Sequence, residues 1–278
     1  MGFGGHYCLA LYFLLSLTSW NLYFEQAMHM KSSCYIGTSG WMYDHWKEEF
    51  YPPEISSDEM LAFFGRHFKT VEVNNIFYQK PDRKKILGWK ESVPDDFTFA
   101  IKANRYITHM KNLKDVKEPV SELLSVLRGL GKKLGPVLFQ LPPQWHINAP
   151  RIKSFLNILP KGFRYAMEFR HDSWYDKEIF KSLRERNIAF CIHDHKDAPS
   201  PEKVTADFIY LRLHGPGGYY SSKYTDEQLS RWSEKIKKWL SEGKDIYAYF
   251  NNDTSGYAIR NSDQLKKKIW KKKNSKNI

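Results

Sequence analysis

The sequence predicts a single α/β domain built as one (β/α)8 TIM barrel. Three observations point there. Eight short segments rich in β-branched and aromatic residues alternate with segments of helical spacing along the 278-residue chain. No Ser/Gly/Pro-rich linker divides them, and no repeat of fixed period runs through them. Polar and charged side chains collect in the C-terminal halves of the strand segments, the end at which such a barrel carries its site. An open doubly wound sheet is the competing architecture. It calls for a glycine-rich phosphate turn after the first strand, and GTSGWMYDHW is not G-x-G-x-x-G.

The elements follow in order. YIGTSGW (35–41) reads as the first strand and TVEVNNIFY (70–78) as the second. Between them SDEMLAFFGRHF has helical spacing, with Ser57 and Asp58 as its N-cap. FTFAIKAN (97–104) and PVLFQLP (136–142) are strands three and four, separated by EPVSELLSVLRGLGKKL, a helix with Pro119 near its start and glycines near its end. RYAMEFR (164–170) and IAFCIHDH (188–195) follow, with the amphipathic DKEIFKSLRERN between them. FIYLRLHG (208–215) and IYAYFNND (246–253) complete the set. TDEQLSRWSEKIKKWLSEG, acidic at its start and stopped by Gly243, joins them.

With 42% hydrophobic residues the chain can bury a sizeable core. The formal net charge is +12, but the end segment KKKIWKKKNSK is mostly lysine, so the body is only mildly basic and admits anionic partners without requiring them. Cys8, Cys34 and Cys191 form no C-x-x-C pair, so a disulfide framework or cysteine zinc site is not expected, and a reducing, cytoplasmic compartment is. No membrane partner is expected. LALYFLLSL resembles the apolar part of an export signal, yet no basic residue precedes it, no A-x-A-like site follows, and it is short for a span. NLYFEQAMHM resembles an altered protease-cleavage tag. Residues 1–29 are therefore read as a tag-like or irregular segment, 30–265 as the barrel and 266–278 as a basic tail.

Strand alternation sorts the polar residues by face. Ala166, Glu168 and Arg170 share one face of strand five, opposite Tyr165, Met167 and Phe169. The same small-then-charged pattern gives Glu72 and Asn74 on strand two, and Ala100, Lys102 and Asn104 on strand three. Gln140 comes from strand four, His193 to His195 from strand six, and Arg212 and His214 from strand seven. Asn251, Asn252 and Asp253 end strand eight. For any one of these, an ion pair inside the barrel and a role at a site are equally good readings. A whole set pointing to one end favours a site.

IGTSGWMYDHW, FKTVEVNNIFY, FTFAIKANRYITH, LGPVLFQLPP, YAMEFRHDSW, TADFIYLRLHG and YAYFNND, in that order, resemble the motifs of the DUF72 (YecE-like) family over roughly residues 34–265. The resemblance implies a TIM barrel and leaves the activity unassigned.

The cations Lys102, Arg105, Arg170 and Arg212 suit an anionic ligand, since guanidinium forks match phosphate and carboxylate oxygens. Glu168 is the expected acid/base group, with His171 and His214 as further catalytic candidates. Trp41, Tyr43, Asn74, Gln140, Asn251, Asn252 and Asp253 complete the expected binding set. Trp41 and Tyr43 suit either stacking on a ligand or packing at the top of the barrel, and Asn74 suits either a ligand or a strand-end cap. The glycine-rich HGPGGYYSSKY is either a phosphate seat or a simple connection. Glu168, His193, Asp194, His214 and Asp253 are metal-type ligands, but no H-E-x-x-H spacing occurs and nearby arginines oppose a dication, so no metal or other cofactor is expected. The function read from these residues is an enzyme that binds an anionic, phosphate-bearing small molecule or nucleic acid, with hydrolysis as the default reaction. The alternatives are a nucleic-acid-binding protein without turnover, and a sugar isomerase- or lyase-like enzyme.

Overall fold

The computed structural model describes residues 32–77, 82–196, 199–217 and 222–270. The expectations for residues 1–29 and for most of the lysine-rich tail lie outside them. Eight parallel strands form the sheet: β1 (Cys34–Thr38), β2 (Thr70–Val73), β3 (Thr98–Lys102), β4 (Leu134–Gln140), β5 (Tyr165–Glu168), β6 (Ala189–His193), β7 (Phe208–Leu213) and β8 (Asp245–Phe250). Their order is β1-β8-β7-β6-β5-β4-β3-β2, which curls back on itself. The expected single (β/α)8 barrel is thus the observed fold. Its seam lies between β1 and β2, joined by the bridge Ser39–Glu72 and a 2.8 Å bond from the Gly40 N–H to the Glu72 carbonyl.

The described α-helices are α1 (Ser57–His67), α2 (Arg83–Glu91), α3 (Lys117–Leu127), α4 (Ala149–Ile158), α5 (Lys177–Arg184), α6 (Asp226–Ser241) and α7 (Tyr257–Trp270). Capping sets several starts. Ser56, one residue before the expected cap, begins α1, and its N–H donates to the Glu59 carboxylate at 3.1 Å. Asp176 accepts from the Glu178 N–H at 2.8 Å to begin α5, and Thr225 accepts from the Gln228 N–H at 3.2 Å to begin α6. The helix expected over 118–134 is broken: a 3-10 turn, Arg128–Lys133, follows α3, and Gly131 within it has φ 58°, a left-handed conformation open to glycine. Helices α2, α4 and α7 were not anticipated, and α7 runs past residue 265, where a tail was expected to begin. Among the described residues no α-helix stands between β6 and β7.

The strands end earlier than their sequence signals. Asn74, Asn104, Arg170, His214 and Asn251 to Asp253 therefore stand on the loops that leave the strands, not in the ladders. Two apolar layers result. Outward side chains such as Val71, Phe99, Phe139, Met167 and Leu211 pack against the helices. Inward, Ala100, Leu138, Ala166, Ala189 and Cys191 face Phe208, Tyr210, Tyr247 and Tyr249. Small residues on β3, β5 and β6 leave room for the large side chains of β7 and β8, as a closed barrel interior requires.

The seam depends on Gly37. A Cβ there would stand 2.2 Å from the Thr70 carbonyl oxygen, a backbone atom that cannot turn aside. Gly37→Ala is expected to push β1 from β2 and cost about 1–3 kcal/mol. Urea unfolding checks it, with Gly162→Ala, where a Cβ meets nothing within 4 Å but the backbone φ is 89°, separating conformational strain from collision.

Candidate functional site at the C-terminal end of the barrel

Above the aromatic layer the barrel interior turns ionic. Arg212, 2% exposed, lies between two fully buried carboxylates. Its Nε donates to Glu72 at 3.1 Å (Oε1) and 3.0 Å (Oε2), and its Nη2 donates to Oε1 at 2.9 Å. Its Nη1 donates to Glu168 Oε2 at 3.0 Å. Glu72 also accepts from Ser39 Oγ at 2.7 Å and Tyr210 OH at 2.8 Å. Glu168 Oε1 accepts from Gln140 Nε2 at 2.9 Å and from Arg170 Nε. The network thus ties β2, β4, β5, β7 and the residue that follows β1, Ser39, together across the barrel axis.

Register explains why these side chains meet. Gln140 is opposite Glu168 in the β4–β5 pairing, and Arg212 is opposite His193 in the β6–β7 pairing. Burial disfavours a charge on Glu168, but the adjoining guanidiniums of Arg170 and Arg212 outweigh it and hold its carboxyl well below the usual range. It is a fixed anion. The expectation of Glu168 as a proton carrier meets this obstacle: both oxygens are engaged and the proton is held off.

Arg170 reaches outward to His214, with Nη2 2.9 Å from Nε2. A guanidinium only donates, so His214 Nε2 accepts and its proton sits on Nδ1. Burial, then the charges of Arg212 and Arg170, push the His214 pKa well below its ordinary value. Burial also lowers His193 to about 4, and its Nε2 donates to the Phe169 carbonyl at 2.9 Å. The His214 N–H donates to Asp194 Oδ1 at 2.7 Å, and Tyr224 donates to Asp194 Oδ2. Burial raises the Asp194 pKa.

Of the four cations expected at the site, Lys102 and Arg105 have no carboxylate partner among the described residues. Lys102 Nζ sits 4.0 Å from the centre of the Phe77 ring. Burial, and then the charge of Arg212, bring its pKa down to about 7, against the pull of Glu168 and Glu72. His109, on the π-helical turn Tyr106–Met110, packs edge-on against the same Phe77 at 5.1 Å and is lowered to about 4, chiefly by burial. Arg105 is exposed.

The structure brings together Glu168, Arg170, Arg212, Gln140 and His214 from the expected set, with Lys102 adjoining. Others stand apart. His171 bonds to Ser173 Oγ at 2.9 Å and lies 3.9 Å from the His146 ring, none of them part of the network. Trp41 is 3% exposed and packs edge-on against Trp89, so the expected ligand stacking finds no free face there. Tyr43 donates to the Ser39 carbonyl at 2.6 Å and packs on Trp46. Asn252 is buried, its Nδ2 donating to the Ser222 carbonyl and to Asn261 Oδ1, both at 2.9 Å. Asp253 pairs with His45 at 3.3 Å, and the Asn251 N–H donates to the Leu213 carbonyl at 2.7 Å. Asn74 keeps a buried Oδ1 without a hydrogen bond among the described residues. Ser39, Tyr210 and His109 were not anticipated. Tyr210 shares the inward face of Arg212, two residues on, which is the signal that could have found it.

Among the described residues no group of three or more His, Cys, Asp or Glu is arranged to hold a metal ion, and no helix is long and apolar enough to cross a membrane. The expected anionic ligand has its counterpart in the charge pattern alone.

Comparison with known proteins gives the family. The model of the family described as "Protein of unknown function DUF72" matches residues 35–277. The protein YecE of Escherichia coli strain K12 is 32% identical over 231 residues, covering 74% of this chain and 81% of that protein. YunF of Bacillus subtilis strain 168 is 25% identical over 272 residues, covering 83% and 93%. A crystal structure of a DUF72 family protein from Thermotoga maritima superposes with a TM-score of 0.75 at 28% identity, covering 84% of this chain and 98% of that one. A second, from Enterococcus faecalis, has a TM-score of 0.74 at 21% identity over 85% and 95%, which speaks to the fold alone. A family model spanning the whole barrel, and a relative 32% identical across most of both chains, establish that this chain belongs to the DUF72 family.

Proposed function

We propose that the protein is an enzyme that binds an anionic, phosphate-bearing small molecule at the C-terminal face of its barrel. One observation carries this reading. Two guanidiniums answer the two fully buried carboxylates, while Lys102 and Arg105 stand at the same end with no carboxylate partner among the described residues. Uncompensated positive charge beside a low-dielectric wall is costly without a counter-ion and attracts one strongly. Phosphate or carboxylate oxygens supply that counter-charge. Hydrolysis is the default reaction, although Glu168, held ionised by Arg170 and Arg212, is a poor base for it.

Calorimetric titration with inorganic phosphate and pyrophosphate tests the reading, beside a screen for phosphate release from simple esters. Binding is expected to weaken at least about tenfold in Lys102→Gln and Arg105→Gln, as loss of a charge-assisted bond implies, and to survive removal of residues 271–278. The competing outcome is affinity for oligonucleotides alone, falling steeply with salt and abolished with the lysine tail, which identifies a nucleic-acid-binding protein.

A further inference from the structure

We infer that Lys102 is the amine that forms an imine with a carbonyl group of the substrate, so that the ligand is an anionic aldehyde or ketone, such as a phosphorylated sugar or a keto acid. The inference rests on the anionic-ligand reading above and specifies its chemistry.

The geometry separates Lys102 from an ordinary surface lysine and from a structural one. It lies at the end of β3, on the inward face that carries Ala100, where β3 pairs with Leu138 of β4. A buried lysine that serves the framework ends on an acceptor. Lys133 does so, its Nζ donating to the carbonyls of Lys90 and Val93 at 2.8 and 2.7 Å. Among the described residues Lys102 has no such bond, and its amine meets the face of Phe77 instead. The groups that set its charge come from every side: Glu72 on β2, Glu168 and Arg170 by β5, and Arg212 on β7. The arginines bond both glutamates directly, so the carboxylates pull on Lys102 only from a distance, and burial together with the charge of Arg212 outweighs that pull. An amine in such a place is unprotonated in a large fraction near neutrality, and a desolvated free amine attacks carbonyl carbons.

The step balances without a redox partner. The Lys102 Nζ lone pair bonds to the carbonyl carbon, and the C=O π pair moves to oxygen, which takes up a proton. The nitrogen gives up one proton to leave a neutral carbinolamine, the C–O bond breaks as the oxygen leaves as water with a second proton, and the iminium nitrogen releases its remaining proton, giving C=N with no net proton change. His109, which packs on the same Phe77 ring as Lys102 and is neutral at pH 7, is a group able to pass those protons. Arg105, exposed on the loop that follows β3, then meets the anionic end of the substrate.

The test uses the full chain at pH 7 and two probes, pyridoxal 5′-phosphate reduced with borohydride and propionaldehyde reduced with cyanoborohydride, followed by peptide mass mapping. Unmodified protein locates the label, so the result does not depend on a variant folding. Label on Lys102 is expected to exceed that on any exposed lysine by at least about tenfold, because an ordinary lysine is unprotonated to only about one part in 2,500 at that pH. Excess inorganic phosphate is expected to slow the phosphate-bearing probe and not propionaldehyde. Label spread over surface lysines with Lys102 untouched by both probes overturns the imine, whatever the phosphate titration gives. Label on Lys102 with no protection by phosphate supports the imine and removes the anionic-ligand reading instead.

Discussion

Arg212→Ala is expected to lower the unfolding free energy by about 3–5 kcal/mol, the cost of leaving buried charge without its partner. Arg212 donates to Glu72 and Glu168, each 0% exposed, and the truncated side chain leaves no cation between them. Surface pairs give the contrast. Arg231 and Glu227 sit one helical turn apart with side chains 62% and 79% exposed, and Arg231→Ala is expected to leave stability unchanged within error. The pH dependence carries a sign. The folded-state pKa of Glu168 is depressed, so its contribution is complete above the ordinary glutamate value of about 4.3 and is lost as pH falls through the folded value. Without Arg212 that depression is smaller. The gap between wild type and variant is therefore expected to narrow below about pH 4. Urea unfolding at pH 7 and pH 3.5 measures both. A deficit below about 1 kcal/mol at pH 7 would mean that water or Arg170 replaces the bridge.

The ionic floor and the site above it were legible to different degrees, for physical reasons. Strand alternation put Glu168, Arg170, Arg212 and Lys102 on inward faces, because a two-residue period leaves no other choice once Tyr165, Met167 and Phe169 are outward. Their fates were not legible. Whether Arg212 meets a ligand or Glu72 depends on side chains 140 residues apart in sequence, and only barrel closure sets that distance. His171 shows the limit of counting: it follows Arg170 directly, yet the strand has already ended and the loop carries it to His146 and Ser173. Asn252 ends in the packing beneath the β8 loop because Asn261 of α7 offers it a partner, a contact that no local motif announces. Helix α2 was missed because RKKILGWKE has little apolar patterning: Ile86 and Trp89 are its buried residues, and its start is set by the Asp82 side chain accepting from the Lys85 N–H at 2.7 Å.

Lys102→Met is expected to make the protein more stable, and by an amount that depends on pH. Methionine fills a comparable volume and carries no charge to desolvate. The folded-state pKa of Lys102 is lowered to about 7 by burial and by Arg212, while an unfolded lysine titrates near 10.4. A group with a depressed folded pKa contributes fully above its unfolded value and loses that contribution as pH falls towards the folded one. Wild type should therefore fall relative to the variant by about 1.4 kcal/mol per pH unit between pH 10 and 7, then run parallel below. The advantage of the variant at pH 6 approaches about 4 kcal/mol if no ion from solvent neutralises the amine. Added phosphate should reduce it by stabilising wild type alone, since a ligand that binds only the folded state raises its stability by mass action. Urea unfolding from pH 6 to 10, with and without phosphate, decides the matter. Parallel curves would make Lys102 a framework residue, as Lys133 is. A slope with the expected sign means that the barrel keeps, at its mouth, a lysine that works against its own folding. Packing gives no reason to keep such a residue, because methionine would serve the Phe77 contact without the penalty. The reason then has to lie in what the amine does to a ligand.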